Sequence, residues 1–141
     1  MTAPLVVFGD AQAATATYLR VALAGRAEPY AAGATVGTRV PDNRRPEDPY
    51  LPYVLVRLDS AIPDPSMANS RVTLRLTVWH ADPDQAHDLA QLVQGLMVVH
   101  NGPVIRSVRP ALGPVPALDP DSAVDLSTCT VTANVRPVQL T

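Results

Sequence analysis

The chain contains no lysine; all eleven of its basic residues are arginine. Schiff-base chemistry, a lysine general base and a P-loop lysine are thereby excluded. A GC-rich coding sequence would produce the same bias, while guanidinium forks would also suit bidentate contacts at interfaces. A single cysteine, Cys129, rules out an intramolecular disulfide and a multi-cysteine zinc site. It alternates with Val131, Ala133 and Val135 and reads as a small buried hydrophobe. Aromatic residues make up 4% of a chain that is 47% hydrophobic, so the core has to be aliphatic, built from Val, Leu and Ala. No apolar run approaches the roughly 20 residues a membrane-spanning helix needs. No basic residue precedes Arg20, so a secretory signal is not expected either. The expectation is a soluble protein, folded in a cytoplasm, with no membrane partner. A formal charge of −2 offers no case for wrapping nucleic acid, which needs a clustered basic face.

Proline, by contrast, is abundant, at 15 of 141 residues. A chain of this length is expected to form one domain, residues 1–141, burying about 68–70% of its unfolded surface. The prolines concentrate in two stretches. Pro41, Pro46, Pro49 and Pro52 stiffen an arm carrying the adjacent pair Arg44 and Arg45. Proline cannot donate to a strand ladder and biases its predecessor toward extended geometry, which keeps this arm out of helix and out of a sheet interior. A pre-stiffened arm loses less entropy on docking than a flexible one, a property suited to clasping a neighbour. The second stretch, Pro110–Ser122, reads as another proline-rich loop, with Gly113-Pro114 and the turn Asp119-Pro120-Asp121-Ser122.

Between these landmarks the periodicities are clear. Asp10 is a good N-cap for an alanine-rich helix running to about Leu23, with Thr15, Tyr18, Leu19, Ala22 and Leu23 on one side. A small-residue linker at Tyr30–Gly33 leads to a strand at Thr35–Val40. After the arm, Tyr53–Leu58 reads as a central strand, and a turn is expected over Ala61–Ser70. In Arg71–Trp79, Val72, Leu74, Leu76 and Val78 alternate with Arg71, Thr73, Arg75 and Thr77, the pattern of a half-buried strand hairpinned to Tyr53–Leu58. Asp82 caps a second helix with Pro83 in its first turn and Asp84 complementing the dipole. Its apolar stripe is Ala86, Leu89, Ala90, Val93, Leu96 and Met97; Gln85, Asp88, Gln91 and Gln94 form the wet face. Asn101-Gly102-Pro103 stops it. Val104–Arg109 and Asp125–Arg136 complete the strands, the latter with Thr128, Thr130, Thr132, Asn134 and Arg136 pointing outward. The predicted fold is α+β: a single mainly antiparallel sheet covered on one face by two helices, with two proline-rich loops.

Chemistry finds little foothold. The three histidines, His80, His87 and His100, lack the i, i+4 spacing of a zinc enzyme and read as surface or cap residues. Asp82, Asp84 and Asp88 are more economically a cap and dipole complement than a metal cluster. Asp119, Asp121 and Asp125 lack the glycine and terminal glutamate of an EF-hand loop. Neither a Gly-x-Ser-x-Gly elbow nor a Gly-x-Gly-x-x-Gly fingerprint occurs. No catalytic residue, metal ligand or cofactor is therefore assigned. Trp79 has the parity opposite to Val72–Val78, which suits either an interface anchor or a rim residue packed under a loop.

Nearly the whole chain resembles the tail terminator proteins of bacteriophages with long non-contractile tails, especially those infecting high-GC actinobacteria. The resemblance is carried by Val36-Gly37-Thr38-Arg39-Val40-Pro41, the Arg45-Pro46 arm, Pro52-Tyr53-Val54-Leu55-Val56-Arg57 and Val78-Trp79-His80-Ala81. It continues in Ala90-Gln91-Leu92-Val93, Gly113-Pro114, Asp119-Pro120 and the final strand Thr130–Pro137. It implies a structural virion protein at the head–tail junction, made in the host cytoplasm. Such proteins form hexameric rings on the last ring of tail-tube protein, end tube growth and supply the docking surface for the head-side connector, with DNA merely passing through the lumen. A ring needs two different patches per subunit. The candidate interface residues are Arg39, Arg44, Arg45, Pro46, Tyr50 and Trp79, with Arg44 and Arg45 expected to pair with acidic groups of a neighbour or tube subunit; a merely solvated loop is the competing reading. The functional alternatives are another connector or head-completion protein of the neck and a small hydrolase using a histidine.

Overall fold

The structure, a computed structural model, describes residues 5–39, 52–118 and 125–140. Its main body is a five-stranded sheet with two helices on one face. Asp10 Oδ1 accepts from the Ala13 amide and starts α1 (Ala11–Ala24), as its capping chemistry predicts. Asp82 Oδ1 accepts from the amides of Asp84 and Gln85 and starts α2 (Pro83–Val98). The apolar stripes of both helices face the sheet, with Leu19, Leu89, Val93 and Met97 fully buried.

A short strand β1 (Leu5–Phe8) precedes α1, and a single 3-10 turn (Pro29–Ala31) follows it. Then come β2 (Thr35–Gly37), β3 (Tyr53–Pro63), β4 (Ser70–Trp79), β5 (Ile105–Leu118), β6 (Asp125–Val135) and β7 (Pro137–Leu140). The main sheet has the order β2-β3-β4-β6-β5, antiparallel except for the parallel β2–β3 pair. The β3–β4 hairpin and the alternation of β4 match the sequence pattern: Val72, Leu74, Leu76 and Val78 enter the helix-covered core beside Cys129, Val131 and Ala133 of β6. The α+β class and the helix-covered, mainly antiparallel sheet are as the sequence led us to expect.

Four features differ from expectation. First, β1 and β7 pair as a separate antiparallel ribbon; four-residue segments carry too little periodicity to announce themselves. Second, β3 runs on to Pro63, with a register shift between Leu58 and Ser60, so the turn shrinks to its tip, where Asp64 N–H donates to Asn69 O. Third, β2 ends at Gly37, three residues short of the expected strand end.

Fourth, residues 110–118 are not a loop. They continue β5 along β6 as far as the Leu118–Asp125 pair, with register shifts at 105/107, 110/112 and 112/115. β5 lies at the sheet edge, where a strand has a ladder on one side only and proline is tolerated. Gly113 is required there: its φ is +77°, and an added Cβ would sit 2.6 Å from Thr128 O. Gln94, expected on the wet face of α2, turns inward instead. Its Nε2 donates to Leu112 O at 3.1 Å and Thr130 O at 3.2 Å, supplying donors where the proline-interrupted ladder has few.

Candidate interaction surfaces

Of the sequence-predicted site residues, Arg44, Arg45, Pro46 and Tyr50 lie outside the described residues, as does the rest of the arm from Val40 to Leu51 and the turn Asp119–Ser122. Arg39 and Trp79 are described, and they meet through Tyr53. The Tyr53 hydroxyl donates to Arg39 O, and its ring packs tilted on Trp79 with centroids 6.2 Å apart. Gly37 leaves room for that ring, because a Cβ there would collide with the Tyr53 hydroxyl. Arg57 Nη1 adds a bond to Thr38 O at 3.2 Å. The backbone leaving β2 is thereby fixed where it departs toward the arm. Arg39 is exposed; Trp79 is only 5% exposed and forms a small apolar cluster with Tyr53, Leu55 and Leu126 on the sheet face away from the helices. In this chain its indole is thus packed under its neighbours rather than displayed.

Beyond that cluster, the face opposite the helices mixes polar side chains with the exposed Ile62, Leu112 and Val115, and no described helix or strand packs over it. Cross-strand pairing sets it out in rows: Leu55–Thr77–Thr128–Val115, Arg57–Arg75–Thr130–Leu112, Ser60–Thr73–Thr132–Arg109 and Ile62–Arg71–Asn134–Ser107. Arg57 and Arg75 stand directly opposite one another, an unfavourable like-charge pair. Asp59 answers it, with Oδ2 3.1 Å from Arg75 Nε. Arg71 and Arg109 flank β6 and share a depression of about 500 Å³ with Thr132, Asn134, Pro110 and Ala111. Asn134 is held from both sides, accepting from Asn69 Nδ2 and donating to Ser107 Oγ, each at 2.9 Å.

The second class of surface is apolar. Leu5 pairs with Leu140 and Val7 with Val138, so these four side chains share one face of the β1–β7 ribbon. That face is uncovered, with exposures of 63, 40, 46 and 46% for Leu5, Val7, Val138 and Leu140. The other ribbon face carries Phe8 against the main core. Nearby, Ala14, Thr17 and Val21 of α1 and Pro103 and Val104 line an open groove of about 630 Å³. Its floor is the stack of Tyr18 on His100, with centroids 3.8 Å apart and the Tyr18 hydroxyl donating to Leu96 O at 2.6 Å. Sequence reading missed the ribbon; the available signal was the short apolar run at 5–8 and the alternating Val-Gln-Leu at 138–140.

The titratable groups near these surfaces are built for packing. Burial holds His80 and His100 below the ordinary imidazole range, partly opposed at His80 by a backbone hydrogen bond at Tyr30 and the charge of Asp82. Burial pushes the Cys129 thiol up to about 12, so it is not a thiolate at neutral pH. Among the described residues, no three of His, Cys, Asp and Glu converge as metal ligands, and no helix is long and apolar enough to cross a membrane. No protein-family model matches the chain, and no curated protein matches it significantly.

Proposed function

We propose that this protein is a structural virion subunit of the tail terminator kind. In that role it forms a ring, with six copies as the resemblance implies, on the end of a tail tube. The ring stops tube growth and presents its other side to the head-side connector, with DNA passing through its lumen. The observation that carries the reading is the uncovered apolar face of the β1–β7 ribbon. Four aliphatic side chains held rigidly in one plane are costly to leave in water, and such patches mark surfaces that dock. The sheet face opposite the helices, with its arginines and threonines, adds a second, chemically different surface, which a ring of heterologous contacts needs.

The test is binding to polymerised tail-tube protein. The wild-type chain should co-sediment with tubes and appear at one end by negative-stain imaging. Val7→Thr together with Val138→Thr keeps strand propensity while making the ribbon face polar. That variant should fold normally and lose tube binding. Binding to the portal-side protein and not to tubes would favour another neck component. Undiminished capping by the double variant would remove the ribbon from the account.

A further inference from the structure

Two sets of charges in this molecule have no partner among the described residues, and they are of opposite sign. Arg71 and Arg109 lie exposed on the sheet face opposite the helices, one on each side of β6. Neither is within salt-bridge distance of a carboxylate among the described residues, whereas Arg75 has Asp59 and Arg26 has Glu28. Their shared depression is polar and partly pre-set, since Asn134 is fixed by Asn69 and Ser107 and lies beside Thr132. On the helix layer, Asp84 and Asp88 are exposed on α2, one turn apart, beside His87 and Pro116 at a second depression of about 540 Å³. Neither carboxylate is used in the cap, which Asp82 supplies.

Resting on the ring reading above, we infer that the Arg71–Arg109 depression of one copy receives the Asp84–Asp88 turn of the next. Residues i and i+4 on a helix are about 6 Å apart at Cβ, so two carboxylates on one turn present a paired acceptor. Two guanidinium groups lining one depression beside β6 present the matching donors, and arginine–carboxylate contacts are the strong, directional kind. One patch belongs to the sheet face and the other to the helix layer on its opposite side, so a single two-fold interface would have to span both faces of the sheet. The contact is head-to-tail, which closes into rings or runs on as filaments. Complementary charge would also fix the direction of subunit addition and reject the reversed contact.

A charge exchange tests this. Arg71→Glu with Arg109→Glu makes the depression acidic; Asp84→Arg with Asp88→Arg makes the helix turn basic. Each double variant alone should self-associate at least about tenfold more weakly than wild type, because like charges then face each other. Mixed in equal amounts, the two should assemble again, since each supplies what the other's altered patch requires. Sedimentation velocity reads all four samples, with circular dichroism confirming that each variant is folded. Arg71→Gln with Arg109→Gln replaces the acidic depression if the Glu pair does not fold. Wild-type association by either variant alone, or no recovery on mixing, overturns the contact. If wild-type rings form on tubes while every variant behaves like wild type, the ring reading survives and this interface does not. If the wild type stays monomeric with tubes present, both fall. Retention of duplex DNA that is lost only in the arginine variant, without self-association, would assign the depression to phosphate instead.

Discussion

Replacing Gln94 by Met examines how a proline-laden strand is kept in a sheet. Gln94 lies on α2 and donates one amide nitrogen to two strand carbonyls, Leu112 O on β5 and Thr130 O on β6. Leu112 and Thr130 are cross-strand partners at the point where the β5 register shifts on both sides. Methionine has nearly the length and helix propensity of glutamine, so the helix itself should be unaffected. Each lost bond contributes about 0.5–1.5 kcal/mol net. The Leu112 side of the bond is exposed and can recover water, which puts the total near 1–2 kcal/mol. For a domain of this size that corresponds to a fall in Tm of roughly 3–8 °C. Urea denaturation should show a lower midpoint with an unchanged slope, because the surface exposed on unfolding does not change. Hydrogen exchange should also quicken across residues 112–118 before it does in β4. A Gln94→Met midpoint within about 0.3 kcal/mol of wild type would refute the idea that this side chain substitutes for the missing proline donors.

Other changes probe separate parts of the fold. Thr15 is fully buried on α1 with a hydroxyl that has no partner among the described residues, so Thr15→Val should stabilise by about 1 kcal/mol in thermal denaturation; a loss of stability would mean the hydroxyl is satisfied. Gly113→Ala combines a positive φ with a Cβ 2.6 Å from Thr128 O, and it should cost about 2 kcal/mol or more, checked by the same melting curves. Because His80 and His100 titrate below their ordinary value of about 6.5 when folded, the unfolded chain binds more protons in that window. Stability should therefore be full above about pH 6.5 and decline as pH falls below it. His100→Phe, which keeps a ring on Tyr18, should flatten part of that slope below about pH 6.5; an unchanged slope would place the proton uptake elsewhere.

How much of this was legible beforehand follows from the physics of each segment. Both helices were readable because Asp10 and Asp82 are strong caps and the stripes through Leu19 and Leu89 are long enough to show their period. β4 and β6 were readable because one face is buried and the other wet, which writes strict alternation into Arg71–Trp79 and Asp125–Val135. β5 beyond Arg109 was not, because local proline and glycine signals point to a loop and only the position at a sheet edge, a tertiary fact, makes them tolerable. The β1–β7 ribbon joins opposite ends of the chain, and no local pattern can encode such a pairing. Gln94 shows the same limit at one residue: helical position assigns it to solvent, while the needs of a distant strand turn it inward. The meeting of Arg39 and Trp79 through Tyr53 and the paired arginines of the sheet face emerge only from tertiary contact and cross-strand register.

The most direct measurement is the growth of tail tubes from purified tube protein with and without this chain, imaged by negative stain and weighed by native mass spectrometry. The account predicts tubes that stop growing, each ending in a ring of about 90 kDa, six times the 15.0 kDa subunit. Tubes that elongate unchecked beside a chain that remains monomeric would contradict it.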